Sequence, residues 1–153
     1  MTNHKDFFRN KAPKIISKLE PDQKPKWGKM NAIEMVDHLL AGMKLFLSKT
    51  VTELETPEEY LPKYKAFLMS EKSFKPGAMK PEEYVKYESA NNVDIEKLRA
   101  EFLTKLAEFD KVTSEDTGFW SFHPSFGKLN AEETRQLHYK HLCHHFRQFG
   151  LMD

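Results

Sequence analysis

Seven histidines, at positions 4, 38, 123, 138, 141, 144 and 145, are the residues in this chain best equipped for chemistry. Four of them fall within Leu137-His-Tyr-Lys-His-Leu-Cys-His-His145. Read as a helix from Leu137 at about 100° per residue, this segment carries Leu142, Phe149 and Phe146 at about 140°, 120° and 180°, which marks its buried side. His141, His145 and His138 fall at about 40°, 80° and 100° and face inward, whereas His144 falls at about 340°, beside Lys140 and Arg147 on the polar side. His144 therefore reads as a solvated residue or as a support behind a ligand. A buried imidazole needs a hydrogen-bond partner, and charging several together is costly. A bound metal resolves both demands, because neutral imidazole is the commonest protein metal ligand. His141 and His145, four residues apart, can bite one ion from a single helix face. His138 and His145 stand about 10 Å apart along the axis, too far to share it. His138 with His141 is the alternative pair.

A third ligand has to come from another element. His38 borders the apolar stripe of its own segment, beside Met35, Gly42 and Leu45, and would look inward. Three histidines leave coordination positions open for water or substrate, as catalytic sites do. Zinc and nickel are the leading candidates for the ion, with iron and manganese behind them, since all accept imidazole. Ligand imidazoles must be neutral, so metal affinity is expected to fall as pH drops through about 6.

The remaining candidates carry less. His4 lies near the amino terminus and is given no role. His123 either lines a pocket or bonds to backbone. Cys143, at about 240° on the same wheel, reads as an inert thiol. Other metal chemistries fit poorly, because no pair of Glu-x-x-His motifs and no His-Glu-x-x-His is present. Nor is there a Gly-x-Gly-x-x-Gly or a phosphate loop.

The elements that must hold these side chains are helical. The first helix spans about Asp6 to Leu19 and is kinked by, or starts near, Pro13. A Pro- and Lys-rich link with Trp27 covers Glu20 to Lys29. Asn31-Ala-Ile-Glu34 is a capping box that opens a second helix with Met35, Leu39, Met43 and Phe46 on its stripe, ending before Ser48. Residues 49–92 read as short helices and loops. Pro57 and Pro81 each precede two glutamates at a plausible helix start, and Tyr60, Tyr64, Phe67, Phe74, Tyr84 and Tyr87 pack the segment down. A long helix from Asp94 to Phe109 follows, with Ile95, Leu98, Phe102, Leu106 and Phe109 on one face. Residues 117–127 read as an aromatic loop punctuated by Pro and Gly. Asn130-Ala-Glu-Glu133 caps the last helix, which runs to about Phe149 and stops at Gly150. Four main helices with long irregular connections predict an all-α four-helix bundle.

Composition bounds the setting. A length of 153 residues suits one domain over 1–153. Lys plus Arg is 24 against 23 for Asp plus Glu, a formal charge of +1 that gives no footprint for nucleic acid. The lysines at 11, 14, 18, 24, 26 and 29 read as a solvated face. The single cysteine, Cys143, excludes an intrachain disulfide. No apolar run spans a membrane and the start carries no apolar signal core, so a cytoplasmic protein is expected, monomeric or homodimeric.

Three stretches together, Trp27-Gly-Lys-Met30, Met35-Val-Asp-His-Leu39 and His141-Leu-Cys-His-His-Phe-Arg-Gln148, resemble the DinB/YfiT-like superfamily. His123-Pro-Ser-Phe-Gly127 is similar to a loop in one branch of small bacterial proteins with no assigned activity. The resemblance covers nearly the whole chain. It implies a four-helix bundle that holds a divalent metal on His38, His141 and His145. Characterised relatives include S-transferases that use bacillithiol, mycothiol or glutathione, and some isomerases and hydrolases. Many relatives carry Arg-Gly-Gln after the histidine pair, where this chain has Phe146-Arg147-Gln148.

Two functions of different class follow. One is a metal-dependent transferase or hydrolase acting on a small molecule, with a low-molecular-weight thiol as partner. Trp120, His123 and Phe126 would wall its pocket, and His138 or Tyr139 would assist proton transfer. The other is a non-catalytic helical bundle that binds a small ligand or serves under stress.

Overall fold

A computed structural model describes residues 4–76 and 94–153. The expected helix start at Pro81, with Tyr84 and Tyr87, lies outside these residues. The described residues are mainly helical, with a two-stranded antiparallel sheet among them. In order come α1 (Ala12–Ile16), α2 (Ala32–Ser48), α3 (Leu61–Met69), α4 (Ile95–Glu115), β1 (Trp120–His123), β2 (Gly127–Asn130) and α5 (Ala131–Gln148). Among the described residues, no helix is long and apolar enough to cross a membrane.

Local chemistry sets the boundaries. A π-helical turn, Phe7–Lys11, leads into α1, which has a proline in its first turn. Pro13 lacks an amide hydrogen, so the α ladder cannot run unbroken through it, and the wider π turn absorbs the break. Both capping boxes form as the sequence predicts. The Glu34 amide donates to Asn31 Oδ1 at 2.7 Å and the Asn31 amide to Glu34 Oε1 at 3.0 Å. The same reciprocal bonds join Asn130 and Glu133, at 2.8 and 2.9 Å. Gly150, at φ +68°, ends α5 with the Leu151 amide donating to the Phe146 carbonyl at 2.8 Å.

The 49–92 segment contributes a short 3-10 turn, Glu58–Tyr60, that runs into α3. Helix α4 runs past Phe109 to Glu115, beyond its expected end. Its extra turns carry Asp110 and Thr113, both buried. Asp110 accepts from Arg135 Nη2 at 2.8 Å and from Arg9 Nε at 2.7 Å. Arg135 also donates to Thr113 Oγ1 at 2.8 Å and lies over the Phe8 ring. This network pins the amino-terminal turn, α4 and α5 together.

The aromatic stretch 117–127 is a hairpin rather than a loop. Trp120 pairs with Asn130 and His123 with Gly127 across four-residue strands. Gly127, at φ +75°, takes the left-handed conformation that closes the turn. Ser121 and Thr134 share a buried 2.7 Å hydrogen bond that ties the hairpin to α5.

Helix α2 packs on α4 and α5, α4 on α5, and α1 on α5. The core comprises Met35, Leu39 and Met43 of α2, Phe102, Leu106 and Phe109 of α4, and Leu142 and Phe146 of α5. Helix α5 is enclosed on nearly every side, including Lys140, His144 and Gln148. Fixing it that firmly gives the histidines it carries well-defined positions.

Candidate metal centre

His38 comes from the middle of α2, and His141 and His145 from successive turns of α5. Gly42 of α2 faces His141, and an added Cβ would sit 3.9 Å from its Cε1, an ordinary van der Waals contact. His38 Nε2 lies 2.9 Å from His141 Nε2, and His141 Nε2 lies 3.0 Å from His145 Nε2. One ligand nitrogen from each of the three residues lies within 4.8 Å of the others. The rings stand edge to face, with centroids 4.7 to 4.9 Å apart. Among the described residues, this trio is the cluster of potential ligands close enough to hold an ion.

Protons alone do not satisfy that arrangement. An imidazole nitrogen offers one proton or one lone pair, in one direction. His141 Nε2 has a neighbour at hydrogen-bond distance on each side and can serve only one of them. A cation at the centre accepts all three lone pairs. Tetrahedral zinc with bonds of about 2.0–2.1 Å sets nitrogen pairs about 3.3 Å apart. The His38–His141 and His141–His145 sides need to open by only a few tenths of an ångström, and the three ligand nitrogens all lie within 4.8 Å of one another, so the donor set is compatible with a divalent transition ion.

The electrostatics agree with that fit. Burial lowers the pKa of His38 to about 4, with the nearby His144 adding to the effect. Burial, and then His38, lower His145 to about 3, against a hydrogen bond to Gln148 that raises it. His141 is pushed well below its ordinary value, first by burial and then by its histidine neighbours. All three are neutral near pH 7, the state that ligates metal.

Around the trio, Gln148 Oε1 lies 2.6 Å from His145 Nδ1, and Gln148 Nε2 donates to the Trp27 carbonyl at 3.0 Å. His144, expected on the polar side as a solvated residue or a support behind a ligand, is buried rather than solvated, with its ring centroid 5.0 Å from that of His145. Trp27 and Phe74, contributed by other segments, cover it at centroid distances of 5.6 and 6.2 Å. A wheel drawn on α5 alone has no means of showing that cover.

The residues expected to wall a pocket or assist in it come from two elements, the hairpin with its turn and α5. Trp120, His123 and Phe126 lie on the hairpin and its turn, where the Ser125 amide donates to His123 Nδ1 at 3.0 Å. His138 is fully enclosed among Phe8, Phe46 and Phe109, and neither ring nitrogen has a hydrogen-bond partner among the described residues. Tyr139 faces away from the trio and lines a separate cavity of about 590 Å3 with Cys143 and Arg147. Burial raises the pKa of the Cys143 thiol, which disfavours its thiolate. His4, given no role from sequence, stacks on Tyr139 with ring centroids 3.7 Å apart and bonds Gln136 at 2.7 Å. Gln148 carried no signal of its own in the sequence beyond its place in the last motif. Comparison of the chain with protein-family models, curated proteins and solved structures gives no match.

Proposed function

We propose that this protein is a metal-dependent enzyme that holds one divalent transition ion on His38, His141 and His145 and acts on a small molecule by thiol-dependent group transfer or hydrolysis. The convergence of three neutral Nε2 atoms from two helices carries this reading. A bound ion would supply Lewis acidity, lowering the pKa of a thiol or water in an open position. The chain's own part is to keep the imidazoles neutral by burial and to hold them on elements that packing has already fixed. His38 is half-buried while His141 and His145 are buried.

The arrangement of α1, α2, α4 and α5 around one core supports assignment to the DinB/YfiT-like four-helix bundles. The histidine motif supports it too, since the superfamily pattern and the convergent trio select the same residues. The single buried cysteine and near-neutral charge favour a cytoplasmic enzyme without a nucleic-acid partner.

The test is metal analysis of tag-free protein, followed by thiol titration of the cobalt-loaded form. About one ion per chain is expected, lost in His141→Ala and His145→Ala and retained in His123→Ala. Glutathione or bacillithiol should then produce a cobalt–thiolate absorption band. Metal retained in full by both ligand variants overturns the site. Metal bound without any thiol or water exchange favours a non-catalytic ligand-binding bundle.

A further inference from the structure

Gln148 lies at the end of α5, one turn past the ligand region, and is 1% exposed. Both ends of its amide are engaged. The Trp27 carbonyl can only accept, so the amide nitrogen must face it, at 3.0 Å. That choice turns Oε1 toward His145 Nδ1, at 2.6 Å. An amide oxygen can only accept, so Nδ1 must carry the proton. The neutral ring then has its lone pair on Nε2, the nitrogen that faces His141 and His38.

The link before α2 is shaped to hold this amide in place. The Lys26 amide donates to the Gln148 carbonyl at 2.7 Å, so the link grips the same residue by backbone as well as by side chain. Gly28 takes φ +80°, and a Cβ there would meet Gln148 Nε2 at 2.7 Å. A side chain at this position is disfavoured for two reasons, the left-handed backbone and the amide, which would have to shift to make room. A local turn could account for the positive φ. It would not account for a glutamine amide pressed against the glycine with both of its polar atoms bonded.

We infer that Gln148 is a positioning residue that fixes His145 as its Nδ1–H tautomer, with Gly28 as the backbone position that admits the Gln148 amide. The tautomer follows from hydrogen bonding alone, while its use in holding an ion rests on the metal site proposed above. Residues that bond the outer nitrogen of a ligand histidine set its orientation and basicity, and losing one typically costs 10- to 100-fold in metal affinity.

The experiment reads both parts. Long-range 1H–15N correlation spectra of the metal-free protein should show His145 protonated at Nδ1 in the wild type and a mixture of tautomers in Gln148→Leu. Zinc(II) affinity, measured against a competing chelator, should fall about 10- to 100-fold in Gln148→Leu and in Gly28→Ala. Gln148→Glu keeps an acceptor for Nδ1–H but turns a carboxylate oxygen, in place of a donor, toward the Trp27 carbonyl, so its loss should be smaller than that of Gln148→Leu without being zero. Circular dichroism melts establish that each variant is folded. A wild-type His145 protonated at Nε2 overturns the inference, as do equal losses in the Leu and Glu variants or an unchanged affinity in Gln148→Leu. A wild type that binds no zinc while His145 keeps its Nδ1 proton defeats the metal site and leaves the hydrogen-bond assignment standing, so the two fail separately.

Discussion

His38 and His141, 103 positions apart in sequence, meet Nε2 to Nε2 at 2.9 Å across α2 and α5. His145 presses on the same His141 nitrogen from the other side. Without an ion, one of those contacts sets lone pair against lone pair or proton against proton. Removing His38 should therefore cost the metal-free fold little while abolishing its response to metal. Zinc at 100 times its dissociation constant stabilises a one-site protein by about 2.7 kcal/mol. The wild type should show that gain in thermal melts with and without zinc, and His38→Ala should show none of it.

Burial also moves the acid limit of the site. Unperturbed histidines would lose metal as pH falls through about 6.5. Here His38 and His145 resist protonation to about 4 and about 3, and His141 is likewise pushed well below its ordinary value by burial and its histidine neighbours. Proton competition for the ion should become strong only below about pH 5, rather than through 6 as the sequence alone suggests. Zinc titrations at pH 7, 6 and 5 should give nearly constant affinity once buffer binding is corrected, and a steep fall between 7 and 6 would contradict this.

His138 is a liability in the core. Its two ring nitrogens are buried and unpartnered, and burial, with Arg135 nearby, lowers its pKa to about 3. Burial similarly lowers His123 to about 4. The unfolded chain takes up these protons first as pH falls. Their contribution to stability is therefore present in full above about 6.5 and is lost as pH falls through the window down to about 4 and 3. Each costs about 1.4 kcal/mol per pH unit inside its window. His138→Leu should remove one of these slopes and raise stability at pH 5 by about 1–3 kcal/mol, because it removes unpaired polar atoms from an aromatic pocket. Urea melts at pH 7 and 5 measure both effects.

Asp110 should be among the most sensitive positions outside the site. It is the carboxylate between Arg9 and the buried Arg135. Asp110→Ala leaves the Arg135 guanidinium enclosed without its counter-charge, at a cost of about 3–5 kcal/mol. Arg9→Ala, at an exposed side chain, should cost about 1 kcal/mol or less. Equal losses in the two variants would show that the buried half of the network is not the stronger one.

How much of this was legible in the chain differs from residue to residue. Asn31 and Asn130 announced their helices because a capping box is a local event, set by four consecutive residues. The inward faces of His141 and His145 followed from helical periodicity, and that of His38 from its neighbours on α2. Periodicity failed for His144, since it assumes one solvent face and α5 has almost none: Trp27 and Phe74 arrive from segments the wheel does not contain. It failed differently at 120–130, where strands of four residues are too short to show alternation against the Pro and Gly that frame them. The contacts of His4 and Gln148 join distant segments, which no local pattern encodes.

Three imidazoles from two helices are proposed to share one ion. X-ray absorption at the metal edge of the zinc-loaded protein tests this most directly. Three imidazole nitrogens at about 2.0–2.1 Å, joined by an oxygen donor from water, are the predicted shell. A shell with fewer than three imidazoles, or one containing the sulfur of Cys143, would contradict the account.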